Sequence, residues 1–101
     1  GDFLAWLRQN GTFDGLTMRA IPEGRVVHPN EPLTVVQGPL VVAQILETSL
    51  LPHLTYQTLI APTAARIHDS GQGRIMLEFG LRRAQGTDGA LTASRAAYLG
   101  G

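Results

Sequence analysis

Glycine and proline divide this sequence into a first part suited to short strands and a later part suited to long helices. Before Pro39, turn residues recur every few positions, as in Pro22-Glu23-Gly24 and Pro29-Asn30-Glu31-Pro32. Between these turns, short runs of apolar residues favour strands. After Pro39, apolar residues recur every three or four positions, which is the spacing of an amphipathic helix. The sequence therefore predicts a mixed fold of the α+β or α/β class.

The first part of the chain predicts one helix and three short strands. Asp2–Asn10 carries apolar residues at helical spacing, and the following glycine suits the end of a helix. The strands are predicted at Leu16–Ala20, Arg25–His28 and Leu33–Gln37. We expect this part to be β-rich, with tight turns between its strands.

Two prolines interrupt the helical pattern of the later part. A helix is predicted to begin at Pro39, where a ring suits the first turn. Because proline lacks the N–H that an interior helical bond needs, Pro52 is predicted to end or kink this helix. Pro62 is predicted to kink or restart it for the same reason. Residues 69–73, which include two glycines, are predicted to form a flexible loop.

The last third of the chain predicts a strand followed by a helix. Arg74–Phe79 is mostly apolar, which favours a strand buried on both faces in a parallel sheet. Gly86–Gly89 is predicted to form a turn, with a possible helix cap at Asp88. Ala90–Leu99 then predicts a helix of small residues, which Gly100-Gly101 ends.

Composition excludes several classes of function. The formal net charge is zero, so a nucleic-acid-binding surface has little support. No apolar run approaches the roughly 20 residues of a membrane span. The absence of lysine excludes Schiff-base chemistry and a P-loop lysine, and the absence of cysteine excludes disulfides and thiolate sites. A cysteine-free chain suits a cytoplasmic protein.

No metal site is predicted. The three histidines, His28, His53 and His68, are far apart in the sequence, and none belongs to a paired motif such as HExxH. We expect each to be a surface or hydrogen-bonded histidine.

Two adjacent arginines after the predicted strand are the strongest candidates for a binding site. Arg82 and Arg83 would lie at the carboxyl end of the strand, where α/β folds gather their functional groups. One interpretation is a solvated pair that bridges to Glu78 or Asp88. The other is that Glu78 fixes an arginine fork, which then binds a carboxylate or phosphate.

Two further arginines, Arg66 and Arg95, lie in predicted helices. Arg66, late in the predicted helix, is either a surface residue or a phosphate contact. Arg95 lies among small residues, which favours a closely packed helix with one exposed arginine.

Five segments in order resemble the nicotinate phosphoribosyltransferase family. Ala20–Gly24 through Pro29–Leu33 is similar to its "PEG…PNEPL" stretch, and Gly38–Thr48 to its "GPL…QLLET". Leu77–Gly86 resembles its "LEFGLRRAQG". The last two segments, Asp88–Ser94 and Ala97–Gly101, are similar to the residues that come after this motif in the family. The chain begins without methionine, and we expect it to be an internal piece of a longer polypeptide.

The resemblance implies a two-part architecture. Residues 1–53 would form part of an N-terminal β-rich domain with a connecting helix. Residues 54–101 would begin an irregular α/β barrel of the type II phosphoribosyltransferase kind.

The resemblance also implies an activity and its site residues. The family condenses nicotinate with phosphoribosyl pyrophosphate, uses Mg²⁺, and is driven by ATP hydrolysis through a phosphorylated histidine. That histidine is expected beyond Gly101, so no catalytic residue is expected in this segment. Arg82, Arg83, Glu78 and Arg66 are the expected substrate-binding residues. A homo-oligomer, or association with the rest of the enzyme, is expected.

Three alternatives stay open at this point. A related enzyme could use nicotinamide or quinolinate, although paired arginines favour an acidic base. A non-catalytic binding or assembly segment is the second alternative. A carrier domain is the third, and the lack of lysine argues against it.

Overall fold

The computed structural model describes every residue from Gly1 to Gly101 and divides the chain into two compact units. The first unit is Gly1–Leu50 and the second is Leu51–Gly101. Six helical or strand segments make up the chain, and they are mostly helical by length.

The first unit contains one helix and one antiparallel hairpin. Helix α1 covers Asp2–Asn10, as predicted. Strand β1 covers Thr17–Ala20 and pairs with β2, Thr34–Gln37, in a register that places Thr17 opposite Gln37. The N–H of Ile21 donates to the carbonyl of Leu33 at 3.0 Å and extends the ladder by one bond. Two of the three predicted strands are therefore confirmed.

The predicted strand Arg25–His28 is wrong. These residues belong to the connection between β1 and β2, between two left-handed residues, Gly24 (φ 77°) and Asn30 (φ 69°). Glu31 closes a tight turn, because its N–H donates to the His28 carbonyl and its carboxylate accepts from the His28 N–H at 3.0 Å. Val26 is 88% exposed, so burial of its side chain does not stabilise a strand here.

Gly38 allows the chain to turn closely past the start of the hairpin. A Cβ at this position would lie 2.5 Å from the Leu16 side chain and 2.7 Å from the Gly15 carbonyl oxygen. No residue with a side chain fits that space without displacing its neighbours. The glycine therefore permits the passage from β2 into the next helix.

Helix α2 runs without a break from Leu40 to Gly71 and contains both Pro52 and Pro62. An end of the helix at Pro52 and a restart at Pro62 are therefore wrong, and the alternative of a kink at each stays a prediction. The loop predicted from residue 69 is also wrong in its first three residues, since the helix continues to Gly71. Each proline removes one interior hydrogen bond. Both prolines are exposed, so water can satisfy the carbonyls that lose their partner.

Arg74–Phe79 does not form a strand in this structure. The segment has no ladder partner among the described residues, and its apolar side chains are uncovered. Ile75 is 89% exposed, Leu77 73% and Phe79 78%. The prediction fails because a strand requires a neighbour with which to exchange hydrogen bonds, and no residue of this chain supplies one.

The exposed surface of the chain is large for its mass. It amounts to 8391 Å², whereas a folded monomer of 10.8 kDa exposes about 5,500 Å². Only Val42, Ala90 and Ala96 are buried among the apolar residues. Most of the large apolar side chains are therefore not covered by these residues alone.

The second unit is built around helix α3, Gly86–Gly100. The predicted turn at 86–89 is wrong, because Gln85 is the N-cap and Asp88 lies in the first helical turn, where a carboxylate complements the helix dipole. α3 approaches α2 at single positions, near Tyr56 and Ala61. A side chain on Gly100 would overlap the Ala61 carbonyl oxygen.

Candidate functional site

The two candidate arginines lie in a single turn of 3₁₀ helix, Gly80–Arg83, which we call the arginine turn. It follows the exposed segment Arg74–Phe79 and leads through Ala84 into α3. The N–H of Ala84 donates to the Leu81 carbonyl at 3.3 Å and closes the turn. Both arginines are exposed and stand at its carboxyl-terminal end, where positive charge is favoured.

Neither guanidinium group has a partner in the structure. Arg82 and Arg83 take part in no hydrogen bond or ion pair, and the bridge to Glu78 or Asp88 that the sequence allowed is not formed. Two adjacent forks with unused donors can bind a carboxylate or a phosphate bidentately. The arginine turn therefore offers a concentrated positive charge to an anionic ligand.

Glu78 holds the backbone of the arginine turn instead of its guanidinium groups. Its Oε1 accepts the N–H of Gly80, the first residue of the turn. Its Oε2 accepts the hydroxyl of Ser94, in the middle of α3, at 3.3 Å. Since Gly80 has no side chain, the carboxylate can approach this N–H without a clash. Glu78 thus connects the turn to α3.

A second hydrogen bond anchors the other end of the same segment. The hydroxyl of Tyr56, on α2, donates to Oε1 of Gln85 at 3.3 Å. Gln85 is the N-cap of α3 and follows the arginine turn by two residues. Sequence reasoning missed Ser94, Tyr56 and Gln85, because these contacts join residues 16 and 29 positions apart.

Arg66 is not part of this arrangement. It is exposed on α2 and lines an open depression of about 520 Å³. Arg74 also lines it, whereas Glu78, Arg82 and Arg83 do not. The other residues around it are Thr63, Ile67, Ser70, Gly71, Ile75 and Met76. The structure thus joins three of the four predicted site residues in one segment and leaves the fourth elsewhere.

Arg95 has a structural contact. Its Nη1 donates to Oε1 of Gln57 at 3.0 Å and so connects α3 to α2.

The described residues contain no group of three or more histidine, aspartate or glutamate side chains that could hold a metal ion. None of the helices combines the length and the apolar character that crossing a membrane requires.

Comparison with curated proteins finds close similarity to one kind of enzyme. The chain is 54% identical over 88 residues to the nicotinate phosphoribosyltransferase of Bos taurus, which is 86% of this chain and 16% of the relative. It is 46% identical over 101 residues to that of Dictyostelium discoideum, which is 99% of this chain and 17% of the relative. The chain thus spans about a sixth of the length of these relatives.

Comparison with solved structures gives the same result. The crystal structure of human nicotinic acid phosphoribosyltransferase matches 99% of this chain with a TM-score of 0.78 and 44% sequence identity. The match covers 23% of the human chain. No model of a protein family matches the sequence.

Proposed function

We infer the function of this chain from its membership of the nicotinate phosphoribosyltransferase family. The chain forms part of an enzyme that joins nicotinate to the ribosyl group of phosphoribosyl pyrophosphate and releases pyrophosphate, a step in NAD biosynthesis. The similarity to the Dictyostelium relative over 99% of the chain is the observation that carries this proposal. Because the chain covers only 17% of that relative, other parts of the polypeptide are needed to complete the reaction.

The arginine turn supplies the binding chemistry that this reaction needs. The transferred group passes through a state with positive charge on the ribose while an anionic pyrophosphate leaves. Catalysis of such a step depends mainly on positioning and on stabilisation of charge. We assign Arg82 to the binding of a substrate anion, either the nicotinate carboxylate or a phosphate. Arg83, its neighbour, assists, and Glu78 orients the turn through the Gly80 N–H.

Arg66 is a separate proposal, since it lies in the depression on α2 instead of the arginine turn. Its guanidinium takes part in no hydrogen bond or ion pair and can meet a phosphate oxygen of a bound substrate. The hydroxyl of Ser70, which lines the same depression, already donates to the Arg66 carbonyl at 2.8 Å.

The described residues form no cluster of carboxylates or histidines. Mg²⁺ would instead be carried by the pyrophosphate group and water, as Mg²⁺ commonly is with phosphate substrates. ATP is a second substrate in this proposal, and the phosphorylated histidine is assigned to a later segment than these residues. A cytoplasmic location and a homo-oligomer stay predictions.

The finer fold proposal is an irregular α/β barrel that begins within residues 54–101, after a β-rich domain that includes residues 1–53. Arg74–Phe79 is proposed as one of the barrel strands. Its uncovered apolar side chains support this assignment, since they need a neighbouring strand and covering helices.

Hydrogen exchange tests this barrel assignment. In the native polypeptide that carries this sequence, the amides of Ile75 to Leu77 are expected to be strongly protected, because strands on both sides would accept their hydrogen bonds. The amide of Val26, in the exposed connection, serves as an unprotected control. Rapid exchange at residues 75–77, equal to that at Val26, would contradict the barrel strand.

An assay with several bases tests the proposed reaction. The native polypeptide is supplied with phosphoribosyl pyrophosphate, Mg²⁺ and ATP, and with nicotinate, nicotinamide or quinolinate in parallel. Mononucleotide is expected from nicotinate only. Product from another base would preserve the reaction class and overturn the substrate. Absence of product from all three would favour a non-catalytic assembly segment.

A further inference from the structure

We propose that Ser94 is a positioning residue, which holds the arginine turn in place through the carboxylate of Glu78. The inference rests on the proposed function, in which Arg82 and Arg83 bind a substrate anion. It adds a residue of α3 that does not itself reach the ligand.

The carboxylate of Glu78 contacts two elements at once. One oxygen of Glu78 accepts the N–H of Gly80, and the other accepts the hydroxyl of Ser94 at 3.3 Å. The two partners lie on different elements, the arginine turn and α3. The carboxylate therefore bridges the two elements, and a substitution of Ser94 removes one of its two contacts while leaving the other.

The bridge fixes the beginning of the turn relative to α3. The strand pairing proposed for Arg74–Phe79 would hold only the backbone before the turn, so the contact with α3 is a separate restraint. The Tyr56 hydroxyl anchors the opposite end through Gln85 at 3.3 Å. With Ser94 anchoring the beginning, the arginine turn is fixed at two points, which an arginine fork needs if it is to keep one orientation.

The Ser94 hydroxyl shares its one proton between two acceptors. It donates to the carbonyl of Ala90, one turn earlier in α3, at 3.0 Å, and to Glu78 at 3.3 Å. Thr92 makes the same kind of contact with the Asp88 carbonyl, at 2.7 Å, and has no connection to the arginine turn. Thr92→Ala is therefore a matched control that removes the helical contact alone.

The kinetic test uses the native polypeptide with Ser94→Ala, Ser94→Thr and Thr92→Ala. Ser94→Ala is expected to raise the KM of the substrate that Arg82 binds by about three- to tenfold, because an exposed hydrogen bond to a charged group is lost. Its thermal midpoint should equal that of Thr92→Ala. Ser94→Thr, which keeps the hydroxyl, should restore the KM, and Thr92→Ala should leave it unchanged.

Coupling to Glu78 tests the route of the effect. In a Glu78→Ala background, Ser94→Ala is expected to cause no further rise in KM, since the bridge is already absent. Additive effects would overturn the proposal, and so would an unchanged KM in Ser94→Ala or an equal rise in Thr92→Ala.

Amide exchange tests the same contact without any activity. Ser94→Ala should speed exchange at Gly80, whose N–H the bridge protects, while Thr92→Ala should not. A wild-type polypeptide that forms no mononucleotide would refute the proposed function, and exchange at Gly80 would still decide whether Ser94 holds the turn. Equal exchange rates in wild type and Ser94→Ala would overturn the positioning role.

Discussion

On the proposed function, replacing Arg82 by alanine in the native polypeptide is expected to lower kcat/KM by about a hundredfold or more, since removal of one donor to a charged reacting group costs on the order of 10²–10³ in rate. The guanidinium is exposed and unpaired in the structure, so its loss leaves no buried partner without a contact. The stability of the fold should therefore change little. The effect should appear in catalysis and substrate binding, measured by mononucleotide formation over a range of both substrate concentrations.

Three further variants give this experiment its controls. Arg25→Ala removes an exposed arginine from the connection between β1 and β2 and should leave kcat/KM unchanged. Arg82→Lys keeps the charge but loses the bidentate fork, so its activity should lie between those of wild type and Arg82→Ala. Arg83→Ala should cause a smaller loss than Arg82→Ala. Near-normal turnover in Arg82→Ala, with an unchanged thermal midpoint, would remove Arg82 from the site.

Elements that depend on neighbouring residues could be predicted from the sequence. Helix α1 follows from the spacing of its apolar residues, and its bounds agree with the structure. Strands β1 and β2 follow from short apolar runs between turn residues, and they pair through a local hairpin. In each case the information lies within a few residues of the element or its immediate partner.

Elements that depend on distant partners could not be predicted in the same way. Arg74–Phe79 has the composition of a buried strand, but no residue of this chain pairs with it. Composition reports the tendency to be buried, whereas a ladder also requires a second strand. Pro52 and Pro62 show the opposite case, since local rules predict a break or a kink at each, and α2 nevertheless continues as one helix through both. An exposed proline costs less when water replaces the lost bond.

The candidate site also contains contacts that local sequence predicts and contacts that depend on distant residues. Glu78, Arg82 and Arg83 could be predicted as one group because they lie within six residues of each other in the sequence. The structure places them in and beside one turn. The sequence suggested that Glu78 contacts an arginine, because the two have opposite charges. The carboxylate instead accepts a backbone N–H and a hydroxyl from α3, a choice that depends on how Ser94 is placed 16 residues later.

Two glycines in α3 are expected to respond to alanine in opposite directions. At Gly100, a Cβ would overlap the Ala61 carbonyl oxygen and lie 3.2 Å from its carbon, so α3 must move away from α2. Gly100→Ala should therefore destabilise the fold by about 1–3 kcal/mol, as overpacking commonly does. At Gly89, a Cβ would meet only ordinary contacts, at 3.6 Å from Gln85 and 3.8 Å from Tyr56. Gly89→Ala should stabilise by about 0.4–1 kcal/mol, because alanine loses less conformational freedom on folding.

Urea unfolding of the native polypeptide and of both variants measures these changes. The two positions lie in the same helix and are partly buried, so a general effect of alanine on α3 would shift both midpoints in the same direction. Opposite shifts are the result expected from the difference in available space. If Gly100→Ala instead matched or exceeded the stability of wild type, α3 and α2 would not approach each other at Ala61.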